Sequence, residues 1–139
     1  MEYTLSILKP DVMARGLANE INQQLSDAGL KIVKQKLCKL SKEQAEEFYA
    51  EHKGKPFFDE VVAFMSSGEV IVQVLAAPDA IAKYREVMGV TDPKKAAPGT
   101  IRNKYGTSIG INAIHGSDSP ASAKREIGLF FDYNEITGE

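Results

Sequence analysis

Residues 70–75, Val-Ile-Val-Gln-Val-Leu, form a nearly unbroken apolar and β-branched run. Such a run reads as a central strand, because only a strand covered on both faces can hide side chains on both parities. The remaining segments must therefore supply layers on either side of a sheet. Residues 3–9 alternate Tyr3, Leu5 and Ile7 on one face and stop at Pro10, the pattern of a half-buried strand with Lys9 on the apolar parity. From about 15 to 28, Leu17, Ile21, Leu25 and Ala28 recur at helical spacing before Gly29, and a second strand follows at about 30–40.

Ser41 and Gln44 have the spacing of a capping box, which opens a helix with Ala45, Phe48, Tyr49 and His52 on one face. After the Gly-Lys-Pro break at 54–56, Phe58, Val61, Val62 and Met65 mark a short helix ended by Gly68. Asp79 starts a helix to about 88, and between Gly89 and Gly110 periodicity disappears, a length of loop uncommon in a compact domain unless it is functional. Residues 111–115 resume as a strand. Ser119 and Pro120 then form a cap and first-turn pair for a last helix with Ala123, Ile127, Phe130 and Phe131 on its apolar face. This alternation predicts an α/β (α+β) sandwich: a ferredoxin-like, four-stranded antiparallel sheet covered by helices, with an added helical hairpin and a long basic loop.

A chain of 139 residues is one domain's worth, so residues 1–139 are read as a single domain with no repeat or linker dividing it. Its 17 basic and 19 acidic side chains leave a formal charge of −2, too balanced for general coating of nucleic acid, so any anion site must be local. The lone Cys38 can form neither an internal disulfide nor a cysteine-based zinc site; it reads as a small buried hydrophobe in a reducing, cytoplasmic setting. No signal-peptide pattern and no long apolar stretch is present, which disfavours export and membrane spanning.

Three polar residues fall where the pattern asks for apolar ones. Lys9 lies on the inward parity of the first strand, where the plain explanation is a snorkelling strand-end lysine. Arg85 lies in the arc of Ile81, Tyr84 and Met88, so its guanidinium either escapes sideways or meets an anion, and Glu126 borders the stripe of Ala123, Ile127 and Phe130. Surface ion pairs would be the plain explanation for the last two. The aperiodic loop adds Lys94, Lys95, Arg102 and Lys104 against the single Asp92, with Thr91, Thr100, Thr107 and Ser108 as hydroxyl donors. Of the 2 histidines, His52 falls on a helical apolar face and reads as a packing residue. His115 ends a strand and is followed at once by Gly116, Ser117 and a helix start, which suits a positioned nucleophile or base. No Walker loop, Rossmann glycine motif, protein-kinase motif or zinc-protease motif occurs, so phosphate handling, if present, uses another device.

In His115-Gly-Ser-Asp-Ser, together with Leu8-Lys9-Pro10-Asp11, Lys55-Pro56-Phe57-Phe58, Pro98-Gly99-Thr100-Ile101-Arg102 and Ser122-Ala-Lys-Arg-Glu126-Ile127, the chain closely resembles the nucleoside diphosphate kinases over essentially its whole length. The resemblance implies transfer of the γ-phosphate of a nucleoside triphosphate to a nucleoside diphosphate through a phosphohistidine, with Mg²⁺ carried on the nucleotide phosphates and no protein-held metal. It implies His115 as nucleophile, Glu126 as the group orienting its ring and Ser117 as support for that carboxylate. Lys9, Arg85, Thr91 and Arg102 match phosphate-binding positions with Tyr49 beside them. Lys9 and Asn112 match ribose-binding positions, and Phe57 matches the residue on which the base stacks. His52 stands where many relatives carry an aliphatic residue, and Ile111 where some carry an arginine. The family also implies a homo-oligomer built from dimers.

A covalent histidine lets one site serve donor and acceptor in turn, which predicts ping-pong kinetics. A non-catalytic ferredoxin-like nucleotide sensor is the alternative, in which His115 is only a hydrogen-bond donor. An RNA-binding module ranks last, since the strands offer no paired aromatic platform.

Overall fold

The computed structural model describes residues 1–108 and 111–137. Twelve elements follow one another: β1 (Glu2–Leu8), α1 (Pro10–Ala14), α2 (Ala18–Asp27), β2 (Lys31–Lys39), α3 (Lys42–Phe48), α4 (Phe58–Met65), β3 (Glu69–Ala77), α5 (Ala80–Met88), α6 (Ile101–Tyr105), β4 (Ile114–Gly116), α7 (Pro120–Phe130) and α8 (Tyr133–Thr137). The four strands form one antiparallel sheet in the order β2-β3-β1-β4. That is the ferredoxin-like arrangement expected, with α3 and α4 as the added hairpin.

β1 pairs with β3 along the whole of its own length, from Glu2 opposite Ala77 to Leu8 opposite Ile71. Both are buried on both faces. For β3 this matches the apolar run; for β1 it corrects the half-buried reading, because the intervening Thr4 and Ser6 are also fully buried. On one face Leu5, Ile7, Val72 and Val74 pack beneath Phe48, Val62, Met65 and Ile127 of α3, α4 and α7. On the other, Leu8, Leu75 and Ile114 pack beneath Val12, Ile21, Leu25, Tyr84, Met88 and Ile101. Each such side chain contributes on the order of 1.5 to 3 kcal/mol when fully buried.

The local signals set the element ends. Ser41 accepts from the Gln44 amide and Gln44 returns the bond to the Ser41 amide, so the capping box forms as expected. Gly29 adopts a φ of 93° after α2, a conformation that costs glycine little. Ser119 accepts from the Ser122 amide, and Pro120 occupies the first turn of α7.

Four expectations are corrected. Pro10 ends β1 but also opens α1, a short helix not expected there, and the predicted 15–28 helix starts only at Ala18, after the turn around Gly16, which has a φ of 67°. His52 lies in a short 3₁₀ turn, Ala50–His52, off the apolar face of α3. The 89–110 stretch contains α6, whose Thr100 side chain accepts from the Asn103 amide; five residues are too few to show a helical period. Cys38 is only partly buried, because β2 is an edge strand. Residues 109 and 110 of that stretch, and 138 and 139, lie outside the described residues.

Candidate active site

β4 is the shortest strand of the sheet and pairs only with β1, with Ile7 opposite His115. Strand alternation turns the His115 side chain to the α3–α4–α7 face. There its ring meets the edge of the Phe48 ring at 4.9 Å between centroids, with an interplanar angle of 77°. α7 begins just beyond β4 and brings Glu126 back over the same spot. His115 Nε2 lies 2.9 Å from Glu126 Oε1, and Ser117 Oγ donates to that same oxygen at 2.9 Å. Ser117 in turn accepts from the Leu5 amide at 3.2 Å. A carboxylate only accepts, so the imidazole proton sits on Nε2 and the lone pair on Nδ1.

Burial holds the His115 pKa below its usual value of 6.5, against the opposing pull of the Glu126 carboxylate, with Lys9 and Arg102 pushing the same way as burial. The ring therefore stays neutral at neutral pH, the form a nucleophile needs. In an NMR titration of the free protein, the histidine resonance that disappears in His115→Ala should titrate below pH 6.5. A midpoint above 6.5 would show that Glu126 outweighs burial and contradict this assignment.

The segment before β4 is strained and firmly held. Ala113 has a φ of 78°, and the Ile114 amide donates to the Asn112 carbonyl at 3.0 Å, which makes a γ-turn of the rarer, left-handed kind. Such a conformation costs about 1 to 3 kcal/mol and persists only where neighbours over-determine it. Here the Lys9 amide donates to the Ala113 carbonyl at 2.9 Å, and Asp11 Oδ2 accepts from the Ala113 amide at 3.1 Å. Lys9 Nζ donates to Asn112 Oδ1 at 2.7 Å, and Asn112 Nδ2 donates to the Thr91 carbonyl at 3.3 Å. Lys9 is thus the residue before α1, not an inward strand residue, and its head reaches the cavity floor.

A cavity of about 790 Å³ opens over His115. That volume falls in the usual range for small-molecule sites. Every site residue drawn from the sequence lines it except Ser117, which lies beneath Glu126: Lys9, Tyr49, Phe57, Arg85, Thr91, Arg102, Asn112, His115 and Glu126. Arg85 reaches it by the sideways route that its place in the arc allows. Its side chain leaves the apolar face of α5 altogether and is exposed at the cavity wall. Arg102 is buried, donating from Nη1 to the Gly89 carbonyl at 3.2 Å and from Nη2 to the Ile114 carbonyl at 2.9 Å, while its Nε has no partner.

Phe57 is 45% exposed, which excludes a core role and leaves its ring free at the mouth of the cavity. His52 stands beside it, with ring centroids 5.6 Å apart, and Ile111 is part of the lining. His52 is therefore a cavity residue and not the packing histidine its pattern suggested. Burial pushes the Tyr49 phenol well above its usual range, so it remains a proton donor.

Electrostatically, the floor calls for an anion. Burial lowers the Lys9 pKa to about 8, assisted by the Arg102 charge and opposed by Asp11. Burial also lowers that of Arg102, with the Arg85 charge acting in the same direction. Among the described residues, none of Lys9, Arg85 and Arg102 has a carboxylate within 4.0 Å. Three cations with no carboxylate in ion-pair contact, lining one cavity with a neutral histidine, have the chemistry to take phosphate oxygens.

The sequence profile of the nucleoside diphosphate kinases matches residues 2–136. The chain belongs to the nucleoside diphosphate kinase family. A nucleoside diphosphate kinase of Bradyrhizobium diazoefficiens is 56% identical over 138 residues, 99% of each chain. One from Coxiella burnetii is 52% identical over 136 residues, 98% of each. The fold agrees: the Aquifex aeolicus nucleoside diphosphate kinase superposes with a TM-score of 0.93 at 46% identity, covering 97% of this chain and 98% of its own. The Halobacterium salinarum nucleoside diphosphate kinase in complex with CDP gives 0.91 at 47% identity, covering 94% and 88%. Within this family member, two supporting residues escaped the sequence reading. Asp11 carried a signal, an acidic residue directly after a helix-opening proline, whereas Tyr84 read simply as core.

Proposed function

We propose that this protein transfers the terminal phosphate of nucleoside triphosphates such as ATP and GTP to nucleoside diphosphates by a two-step, ping-pong route through His115. The observation that carries the reading is the Ser117–Glu126–His115 relay in one cavity with three cations that no carboxylate approaches within 4.0 Å among the described residues. In the first step the Nδ1 lone pair attacks the γ-phosphorus, an N–P bond forms, and the P–O bond to the β-phosphate breaks with its electron pair leaving on the diphosphate. The second step is the reverse, with a different diphosphate oxygen attacking the phosphohistidine. Glu126 holds the Nε2 proton throughout and stabilises the positive charge that develops on the ring.

Lys9, Arg85 and Arg102 are assigned to the phosphates with Thr91 and Tyr49, Lys9 and Asn112 to the ribose, and Phe57 to stacking on the base. Stacking tolerates any base, since every base has a π-face, so broad substrate use follows. The donors around His115 are ammonium, guanidinium and hydroxyl groups, which fit phosphate oxygens. Mg²⁺ is accordingly assigned to the nucleotide, where it supplies charge neutralisation along the phosphate chain.

A non-catalytic sensor would have no use for a relay that fixes the histidine tautomer, and that relay weighs against it. We further assign the protein, as a single domain, to the cytoplasm, where its substrates are made and used. Self-association into dimers and larger homo-oligomers is supported by the open edge of β2, which leaves Leu37 57% and Val33 37% exposed. Among the described residues no helix is long and apolar enough to cross a membrane.

The deciding experiment mixes the protein with Mg²⁺ and ATP labelled in the γ-phosphate. An acid-labile, alkali-stable protein adduct is expected, discharged as labelled triphosphate on adding GDP. Binding of nucleotide without an adduct would sink the catalytic reading and leave the sensor.

A further inference from the structure

Tyr84 is the largest fully buried side chain of the chain's described core, yet its hydroxyl is fully committed. It donates to the His115 carbonyl at 2.8 Å and lies 2.7 Å from Ser6 Oγ. Gln73 Nε2 donates to Ser6 Oγ at 3.2 Å and to Asn22 Oδ1 at 2.8 Å, while Gln35 Nε2 donates to Gln73 Oε1 at 2.8 Å. A carbonyl can only accept, so every proton in this chain has one possible place: Gln73 N–H to Ser6, Ser6 O–H to Tyr84, Tyr84 O–H to the His115 carbonyl. Bonds aligned in one direction inside a low-dielectric core reinforce one another. Ser6, Gln73 and Tyr84 are all fully buried, so no water competes for them.

We propose that Tyr84 is a positioning residue for the nucleophile, acting on the His115–Gly116 peptide from the face of the sheet opposite the imidazole. The proposal rests on the assignment of His115 as nucleophile. The ring of Tyr84 reinforces what its hydroxyl does. A Cβ added at Gly116 would come within 2.7 Å of Tyr84 Cε2, so the phenol lies flush against the backbone that carries the histidine. β4 needs such a brace. It is three residues long, at a sheet edge, and follows the strained turn at Ala113.

Four contacts then fix the nucleophile from four directions. Glu126 holds its ring nitrogen, Phe48 its ring edge, Arg102 the carbonyl before it and Tyr84 its own carbonyl. Phosphoryl transfer depends on in-line geometry, so a small displacement of this backbone slows the chemical step without altering the groups that bind nucleotide. Burial keeps the phenol protonated far above working pH, so its action is constant with pH.

The test is single-turnover labelling of His115 with Mg²⁺ and γ-labelled ATP, run beside ADP affinity and thermal stability. Tyr84→Phe keeps the ring and removes both hydrogen bonds of the hydroxyl, of which only the one to the His115 carbonyl touches the nucleophile's backbone, so the rate of phosphohistidine formation should fall roughly three- to ten-fold. ADP affinity should stay within about two-fold and the pH profile should keep its midpoint, as expected for a loss confined to the chemical step. Ser6→Ala should slow the step less, and the double variant should be no slower than Tyr84→Phe, because both act through one chain of bonds.

A Tyr84→Phe protein that labels at the wild-type rate would overturn the proposal whatever its melting temperature. So would a rate and an ADP affinity that fall by the same factor. Should Tyr84→Phe fail to fold, Ser6→Ala carries the test by the same criteria. A wild-type protein that takes no label on His115 would instead overturn the phosphohistidine assignment, which is a separate result.

Discussion

Replacing His115 by alanine should abolish covalent labelling from γ-labelled triphosphate while leaving the fold and nucleotide binding in place. Among the described residues the cavity holds no second neutral nitrogen in the setting of His115, with a carboxylate fixing its proton and the Lys9 and Arg102 charges acting on its ring. Lys9, Arg85, Arg102 and Asn112 keep their positions when the ring is removed, so affinity for a diphosphate should change little. The fold is not untouched. Glu126 is 4% exposed and loses one of its two hydrogen-bond donors, keeping Ser117. A buried group left short of a partner costs about 1 to 3 kcal/mol, which a melting curve will show. Labelling of His115→Ala at the wild-type rate would overturn the assignment, and loss of nucleotide binding together with labelling would indicate a collapsed site.

The second large effect separates two arginines that look equivalent in the sequence. Arg102 is 9% exposed and spans the Gly89 and Ile114 carbonyls, so it is both part of the fold and part of the site. Arg85 stands exposed at the cavity wall, and among the described residues it has no ion-pair partner within 4.0 Å. Arg102→Ala should therefore lower stability by about 2 to 4 kcal/mol, by losing charge-assisted bonds and stranding the Ile114 carbonyl, and should weaken triphosphate binding by about 1.5 to 3 kcal/mol. Arg85→Ala should weaken triphosphate to a similar degree but alter stability by no more than about 0.5 kcal/mol. Denaturant unfolding beside calorimetric titration with ATP and with adenosine separates the cases. Equal losses for triphosphate and nucleoside, or an Arg102→Ala protein as stable as wild type, would contradict this division.

Much of this site was legible because it breaks patterns that the fold otherwise obeys. Glu126 on an apolar helix stripe and Lys9 on an apolar strand parity are expensive placements, and both proved to be buried groups facing one cavity. Arg85 breaks the pattern in the same way and escapes sideways to the cavity wall, since a long side chain can leave an apolar arc that its Cα occupies.

What stayed hidden is what periodicity cannot encode. Thr4 and Ser6 look like a solvated face, yet small hydroxyl residues fit a two-sided core, and Ser6 is satisfied there by Tyr84 and Gln73. Tyr84 reads as core because it is core; only coordinates show where its hydroxyl ends. Helix α6 is shorter than any window in which a helical period can be seen, and its cap at Thr100 has none of the flanking apolar rhythm that marks the other helices. His52 misled because a 3₁₀ turn rotates residues differently from the α-helix that precedes it.

The bond from the Leu5 amide to Ser117 joins residues 112 apart in the chain. Lys9 belongs to the first strand–helix junction, Arg102 to the short helix α6 and Glu126 to α7, and none meets another until β4 is laid against β1. The site is therefore indivisible. No fragment from either side of the sequence holds a phosphate pocket of its own, and a nascent or nicked chain that has not closed this circle carries the residues of a phosphotransferase without its chemistry.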